Sequence, residues 1–191
     1  MGTRNLICVY YKGRFAIAQY GQWDGYPAGQ GAVLWRFIWN NPGNIARLKA
    51  GLEHVRIATE DDLDRLRRLS DKVYPSLSRD TGAKILELVA CATEGRGVPV
   101  TMFLEFVNDR VMCEWIYVLD LDAEVLEVYA GDVDGCKYLG APSGYQQRFS
   151  EVGGGCMAFI KGFELADLPG TEKEFVEALK LPEYEEDEAD V

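Results

Sequence analysis

The 191-residue sequence predicts an α+β fold in which antiparallel strands and helices occupy separate layers. Three observations predict it. The N-terminal stretch carries two β-branched and aromatic runs about a Lys12-Gly13 turn. From Ala32 the apolar residues follow a helical period of 3.6. After Gly97 the period shortens to two, and a last helical stretch opens at Thr171. Strands grouped at both ends with helices between argue against the alternating order of a parallel α/β sheet. If the two groups of strands face one another, the helices must cover the outside, in a layered αββα sandwich.

Thr3 to Tyr11 and Arg14 to Tyr20 read as a β-hairpin. The second run is so uniformly apolar that it suits a strand buried on both faces. Gly21 to Gly31 reads as loop, with Asp24-Gly25 and Tyr26-Pro27 as turn signals. Ala32 to Trp39 is expected to be helical, with Val33, Leu34, Phe37 and Ile38 on one side. Asn40-Asn41-Pro42-Gly43 breaks it. Asn44 is placed to cap a second helix, whose apolar face would be Ile45, Leu48, Leu52 and Val55. Thr59 can cap a third, with Glu60, Asp61 and Asp62 at its positive end and Leu63, Leu66 and Leu69 inward. Asp80 can cap a fourth, with Ile85, Leu86, Val89 and Ala90 or Ala92 inward and Gly95 and Gly97 beyond its end. Val98–Val107, Val111–Leu119 and Glu124–Ala130 read as a three-stranded meander. Gly131 to Gly155 reads mainly as a long loop, and Cys156–Leu165 as a final strand. Thr171-Glu172-Lys173-Glu174 is a capping-box sequence opening a short helix that ends near Lys180.

One domain over residues 1–182 and a disordered acidic tail over 183–191 are expected. The tail holds six acids, so its removal takes the formal charge from −11 to −5. So mildly acidic a body argues against a nucleic-acid partner. No apolar run approaches the roughly 20 residues that span a bilayer, so no membrane partner is expected. The N-terminus has no apolar signal-peptide core, and the five cysteines lack CxxC spacing. Both point to reduced thiols and a cytoplasmic location. With one histidine in the chain, a Cys/His zinc site is not expected, and no cofactor is. The oligomeric state stays open, homo-oligomers included.

Chemistry concentrates near the N-terminus. An N-terminal threonine can act as nucleophile with its own α-amine as base, provided that Met1-Gly2 is removed. Gly2-Thr3 followed by LICVYYKGRFAIAQ resembles the start of the N-terminal nucleophile (Ntn) hydrolases, in particular their proteasome-like branch. That resemblance implies an αββα sandwich and amide-bond hydrolysis with Thr3 as the catalytic residue. The family's acid after the second strand is missing, because Gln19 and Tyr20 stand there, and its lysine lacks a counterpart, which equally fits an inactive relative. GTRNL, AQYGQWDGYPAGQG, SRDTGAKILELV and YVLDLDAEVLEVYAG also resemble a family of small uncharacterised intracellular proteins of fungi, bacteria and phages. That resemblance implies a standalone domain.

The QYGQWDGYPAGQG loop offers aromatic faces and amides that can hold a small molecule or a peptide. Arg4, Tyr20, Gln22, Trp23, Asp24 and Tyr26 are the candidate substrate- or ligand-binding residues. Two readings stay open: a hydrolase or its inactive relative, and a non-enzymatic binding module built on Tyr20–Gln30. A third, that Trp23 and Tyr26 merely plug the core, competes with both. His54 reads as a boundary residue. Asp120, Asp122 and Glu124 read as turn acids sooner than a cation site, and Asp132-Val-Asp134-Gly135 lacks the later ligands of a calcium loop.

Overall fold

The N-terminal hairpin supplies two adjacent strands at one side of the main sheet. In the computed structural model, which describes residues 2–69, 73–109, 111–131, 149, 152 and 157–180, β1 (Asn5–Tyr11) pairs antiparallel with β2 (Arg14–Gly21). Lys12 and Gly13 both take positive φ, 54° and 74°, as a two-residue hairpin turn with the strands' own twist requires. A bulge between Val9 and Tyr10 shifts the register.

The other edge of β1 pairs in parallel with β5 (Trp115–Asp120), which continues antiparallel into β6 (Val125–Ala130) and β7 (Ala158–Glu164). The order is β2-β1-β5-β6-β7. The fold is thus α+β, but the described strands do not divide into two facing antiparallel sheets. The strand buried inside the sheet is β1 and not, as the sequence suggested, β2, which is a partly exposed edge strand; β5 supplies the second neighbour of β1. Hairpin and meander therefore merge into one mixed sheet.

Helices α1 (Ala32–Trp39), α2 (Asn44–Leu52), α4 (Ile85–Ala90) and α5 (Glu172–Glu177) pack on one face. There Ile7, Val9, Ile17, Tyr117 and Leu119 meet Leu34, Leu48, Leu86 and Phe175. Residues alternate along each strand, so Leu6, Cys8, Ala18, Ile116 and Val118 point to the second face. No helix layer covers that face among the described residues. Val107, Cys113, Phe149 and Met157 cover it instead.

The expected strand Val98–Val107 survives only as β4 (Val98–Val100), paired in parallel with β3 (Val55–Ile57) in a separate two-stranded ribbon. Leu104–Asn108 is a 3-10 turn whose threefold spacing turns Leu104 and Val107 to the sheet. The next strand begins at Trp115 rather than Val111, because Asp109 first closes a turn on the N–H groups of Met112 and Cys113.

Several helix ends differ from expectation. Asn44 is the first residue of α2 and is buried; its amide donates to the Phe37 carbonyl and accepts from Arg47, so it joins two helices instead of capping one. Val55 leaves α2 for β3, and His54 lies in the turn before it. Asp80 does not cap α4, which is entered through a 3-10 turn at Gly82–Lys84 and ends well before Gly95. α3 (Glu60–Leu69) starts as the sequence predicts: the Thr59 hydroxyl accepts from Asp62 N–H at 3.3 Å, and the Asp62 carboxylate accepts from Thr59 N–H at 2.9 Å. Its leucine stripe is not buried, however. Leu63 and Leu66 are half-buried, and Leu69 is 61% exposed. The Thr171 capping box forms with both reciprocal bonds, although α5 closes at Glu177. Cys136, Cys156, the Asp132–Gly135 stretch, most of 131–155 and the acidic tail lie outside the described residues.

Candidate functional site

Each candidate residue near the N-terminus is positioned by β1, β2 or the segment that joins β2 to α1. That segment is only partly loop, since Pro27–Gly31 forms one wide π-helical turn running into α1. The turn brings Gly29 beneath Asp24: a Cβ at position 29 would lie 2.1 Å from the Asp24 carbonyl oxygen. Asp24 itself takes a φ of 54°, which aspartate tolerates better than most residues. Its carbonyl accepts from Gln30 N–H at 2.7 Å.

Amides and one phenol fasten the segment from beneath. Gln30 donates to the Trp23 carbonyl at 3.3 Å and accepts from Ala83 N–H at 2.8 Å. Fully buried Asn5 donates to the carbonyls of Gly21 and Trp23. Buried Tyr117 donates to the Gly25 carbonyl at 2.8 Å. Burial pushes the Tyr117 phenol well above its ordinary range, so it stays protonated and remains a donor. None of Asn5, Gln30 and Tyr117 stood among the expected site residues. Only the excess of amides hinted at them, because a buried amide must find partners. The oxygens Asn5 Oδ1 and Gln19 Oε1 are buried and accept no hydrogen bond from the described residues.

The candidates come together in pairs rather than as one constellation. Thr3 joins the loop through its backbone, its carbonyl accepting from Gly25 N–H at 2.9 Å. Gly2 lies against the Trp23 indole so closely that a Cβ there would be 2.4 Å from the ring. Trp23 Nε1 donates to Asp80 at 2.9 Å, the contact that takes Asp80 away from α4. The Tyr26 hydroxyl donates to Asp24 at 3.3 Å, and that of Tyr20 to Gln22 at 2.7 Å. The Tyr20 ring packs on Phe103 and Phe106. Arg4 points away from Asp24 and Tyr26, donating to Glu114 and to the Met112 sulfur. What faces outward is a ledge: Trp23 at 47% exposure and Tyr26 at 43%, with the exposed Asp24 between them.

The acids of the β5–β6 turn are committed elsewhere. Asp120 is buried and accepts from the N–H groups of Asp122 and Ala123. Asp122 accepts from Lys12 N–H at 3.0 Å and Gly13 N–H at 2.8 Å, clamping the β1–β2 turn. Glu124 pairs with Lys49 at 3.7 Å. Among the described residues, no group of three or more His, Cys, Asp or Glu side chains is gathered to hold a metal ion. Nor is any described helix long and apolar enough to cross a membrane. Cys8 and Cys113 are buried, whereas Cys91 is exposed.

Comparison with known proteins leaves this geometry to speak for itself, since no family model, curated protein or solved structure matches the chain.

Proposed function

We propose that the chain is a binding module whose ledge of Trp23, Asp24 and Tyr26 takes a small polar molecule or a peptide segment. One observation carries the reading: two half-exposed rings stand on a backbone already fixed by Gln30, Asn5 and Tyr117. Prior fixing removes much of the ordering cost of binding. The rings offer flat apolar contact, and the Asp24 carboxylate accepts hydrogen bonds. The fitting ligand therefore has a flat apolar face edged with donors. The test is a thermal-shift and calorimetric screen of oligosaccharides and short peptides, repeated with Tyr26→Ala and Asp24→Asn. Loss of an aromatic anchor should weaken a true ligand by at least about tenfold with the melting temperature nearly unchanged. Variants that lower stability and leave every binding isotherm intact would make the loop structural.

A second reading is supported by the place of Thr3, just before β1, with its carbonyl held by Gly25 and its hydroxyl free of hydrogen bonds among the described residues. It is an amide-bond hydrolase, or the inactive relative of one, in the cytoplasm, with the Ntn-like layering that its resemblance implies. The intact mass of the untagged protein decides it. A mature chain beginning at Thr3 supports the nucleophile, and retention of Met1 or Gly2 removes it, since the mechanism needs the free amine.

A further inference from the structure

A second concave site lies away from the ledge, between α4, β4 and residues 73–76. It is an open cavity of about 480 Å³. Tyr74, Pro75, Leu88 and Val98 give it apolar walls. The Ser76 hydroxyl ties two of those walls together by donating to the Pro99 carbonyl at 2.5 Å. Its charged groups among the described residues are Glu87 and Arg96. Glu87 is already paired, because Arg47 reaches its carboxylate at 3.2 Å. The same Arg47 nitrogen lies 3.3 Å from the Cys91 sulfur, which also lines the cavity. Arg96 sits on a two-residue turn, pinned by paired backbone bonds with Thr93. It has no ion-pair partner among the described residues. Glu94, at the tip of that turn, does not line the cavity. The apolar cavity thus carries one carboxylate already held by Arg47 and one guanidinium, that of Arg96, in a chain whose net charge is −11.

From this juxtaposition of apolar walls, a spare Arg96 and a paired Glu87 we infer a binding site for a small amphipathic carboxylate. The chain of the ligand lies along Tyr74, Leu88 and Val98, and its head meets Arg96. A guanidinium matches a carboxylate with two parallel hydrogen bonds, whereas an ammonium head would be repelled by Arg96 and would find the Glu87 carboxylate already held by Arg47. A pocket of a few hundred cubic ångströms with few polar groups is of the size and character that small ligands occupy.

Cys91 supplies the readout. It is the exposed thiol among Cys8, Cys91 and Cys113, and it lines the cavity. The full-length protein is alkylated with iodoacetamide, and the rate at Cys91 is followed by peptide mass spectrometry with octanoate, octanol or octylamine present. Octanoate at ten times its dissociation constant should slow alkylation roughly tenfold, saturably, with octanol weaker and octylamine weakest. Arg96→Gln should reduce octanoate to the level of octanol. Arg96 is exposed and has no ion-pair partner among the described residues, so the variant should melt with the wild type. Equal protection by octanol or octylamine would overturn the anionic head. Absence of protection by octanoate in the millimolar range would overturn the site.

Discussion

Residues 20–31 and residues 55–69 differ in a way opposite to their appearance in sequence. The first stretch looks irregular, yet its backbone is tied to β1, to β5 and to the 78–83 region through Asn5, Tyr117 and Gln30. The second contains a regular ten-residue helix, yet the leucines of α3 are half-buried or exposed and its buried residue is Asp62. What sustains α3 is local: the Thr59–Asp62 box, the Arg56–Asp62 pair and the ion pairs of Arg65 with Asp61 and Arg67 with Asp64. Regular secondary structure is therefore a poor guide to rigidity. The number of long-range anchors is the better one, since the body's packing opposes local opening only where anchors attach.

Substitutions can break or sharpen this contrast. Gly29→Ala should have the largest effect, about 3 kcal/mol of lost stability, because the new methyl would meet backbone rather than a pliable side chain. Urea denaturation measures it, and a loss below about 1 kcal/mol would mean that the loop gives way easily. Gln30→Ala should come next, at about 2 kcal/mol, since it strands the Ala83 N–H and leaves the Trp23 carbonyl to Asn5 alone. Amide hydrogen exchange at Ala83 should accelerate in parallel.

On the α3 side, Asp62→Asn should cost about 1 kcal/mol and reshape the acid limb of the stability curve. The Arg56 guanidinium and the Thr59 N–H hold the Asp62 carboxyl below the usual carboxylate range. A depressed folded-state value stabilises the protein above the unfolded value of about 3.9. That stabilisation disappears as the pH falls further, toward the folded value. The wild type should therefore lose its advantage over the variant in that acidic window and keep it at neutral pH. Leu69→Ala should have the smallest effect, within about 0.5 kcal/mol, because the side chain is already 61% exposed. A larger loss would show that the helix is anchored after all.

Local patterns were legible where the chemistry is local. The Lys12-Gly13 hairpin, the Thr59 start and the Thr171 capping box formed as their neighbouring residues dictate. The exposed ledge lay within the stretch singled out for its aromatic and amide content. Long-range pairing was not legible. Nothing near Asn5 announces that its strand pairs with one beginning at Trp115, so two facing sheets became one. Asn44 and Asp80 have the residue types of caps, but a buried amide and an indole N–H outbid the helix ends for them. Tyr117 could not be seen as a loop anchor, because its role depends on a backbone carbonyl 92 residues earlier.

The Asp122 clamp bears on how the chain reaches this state. The central partners of β1, and the carboxylate that seals its turn, are both encoded about 110 residues downstream. A hairpin that leaves the ribosome before β5 would expose one edge of β1 until about 110 further residues had followed. Contacts so distant along the chain slow folding, and an unpaired apolar edge invites association with other chains meanwhile. The Lys12-Gly13 turn would act as a latch that closes late, when the β5–β6 tip arrives. The protein's exposure to aggregation should therefore depend on the rate of its synthesis more than on its final stability.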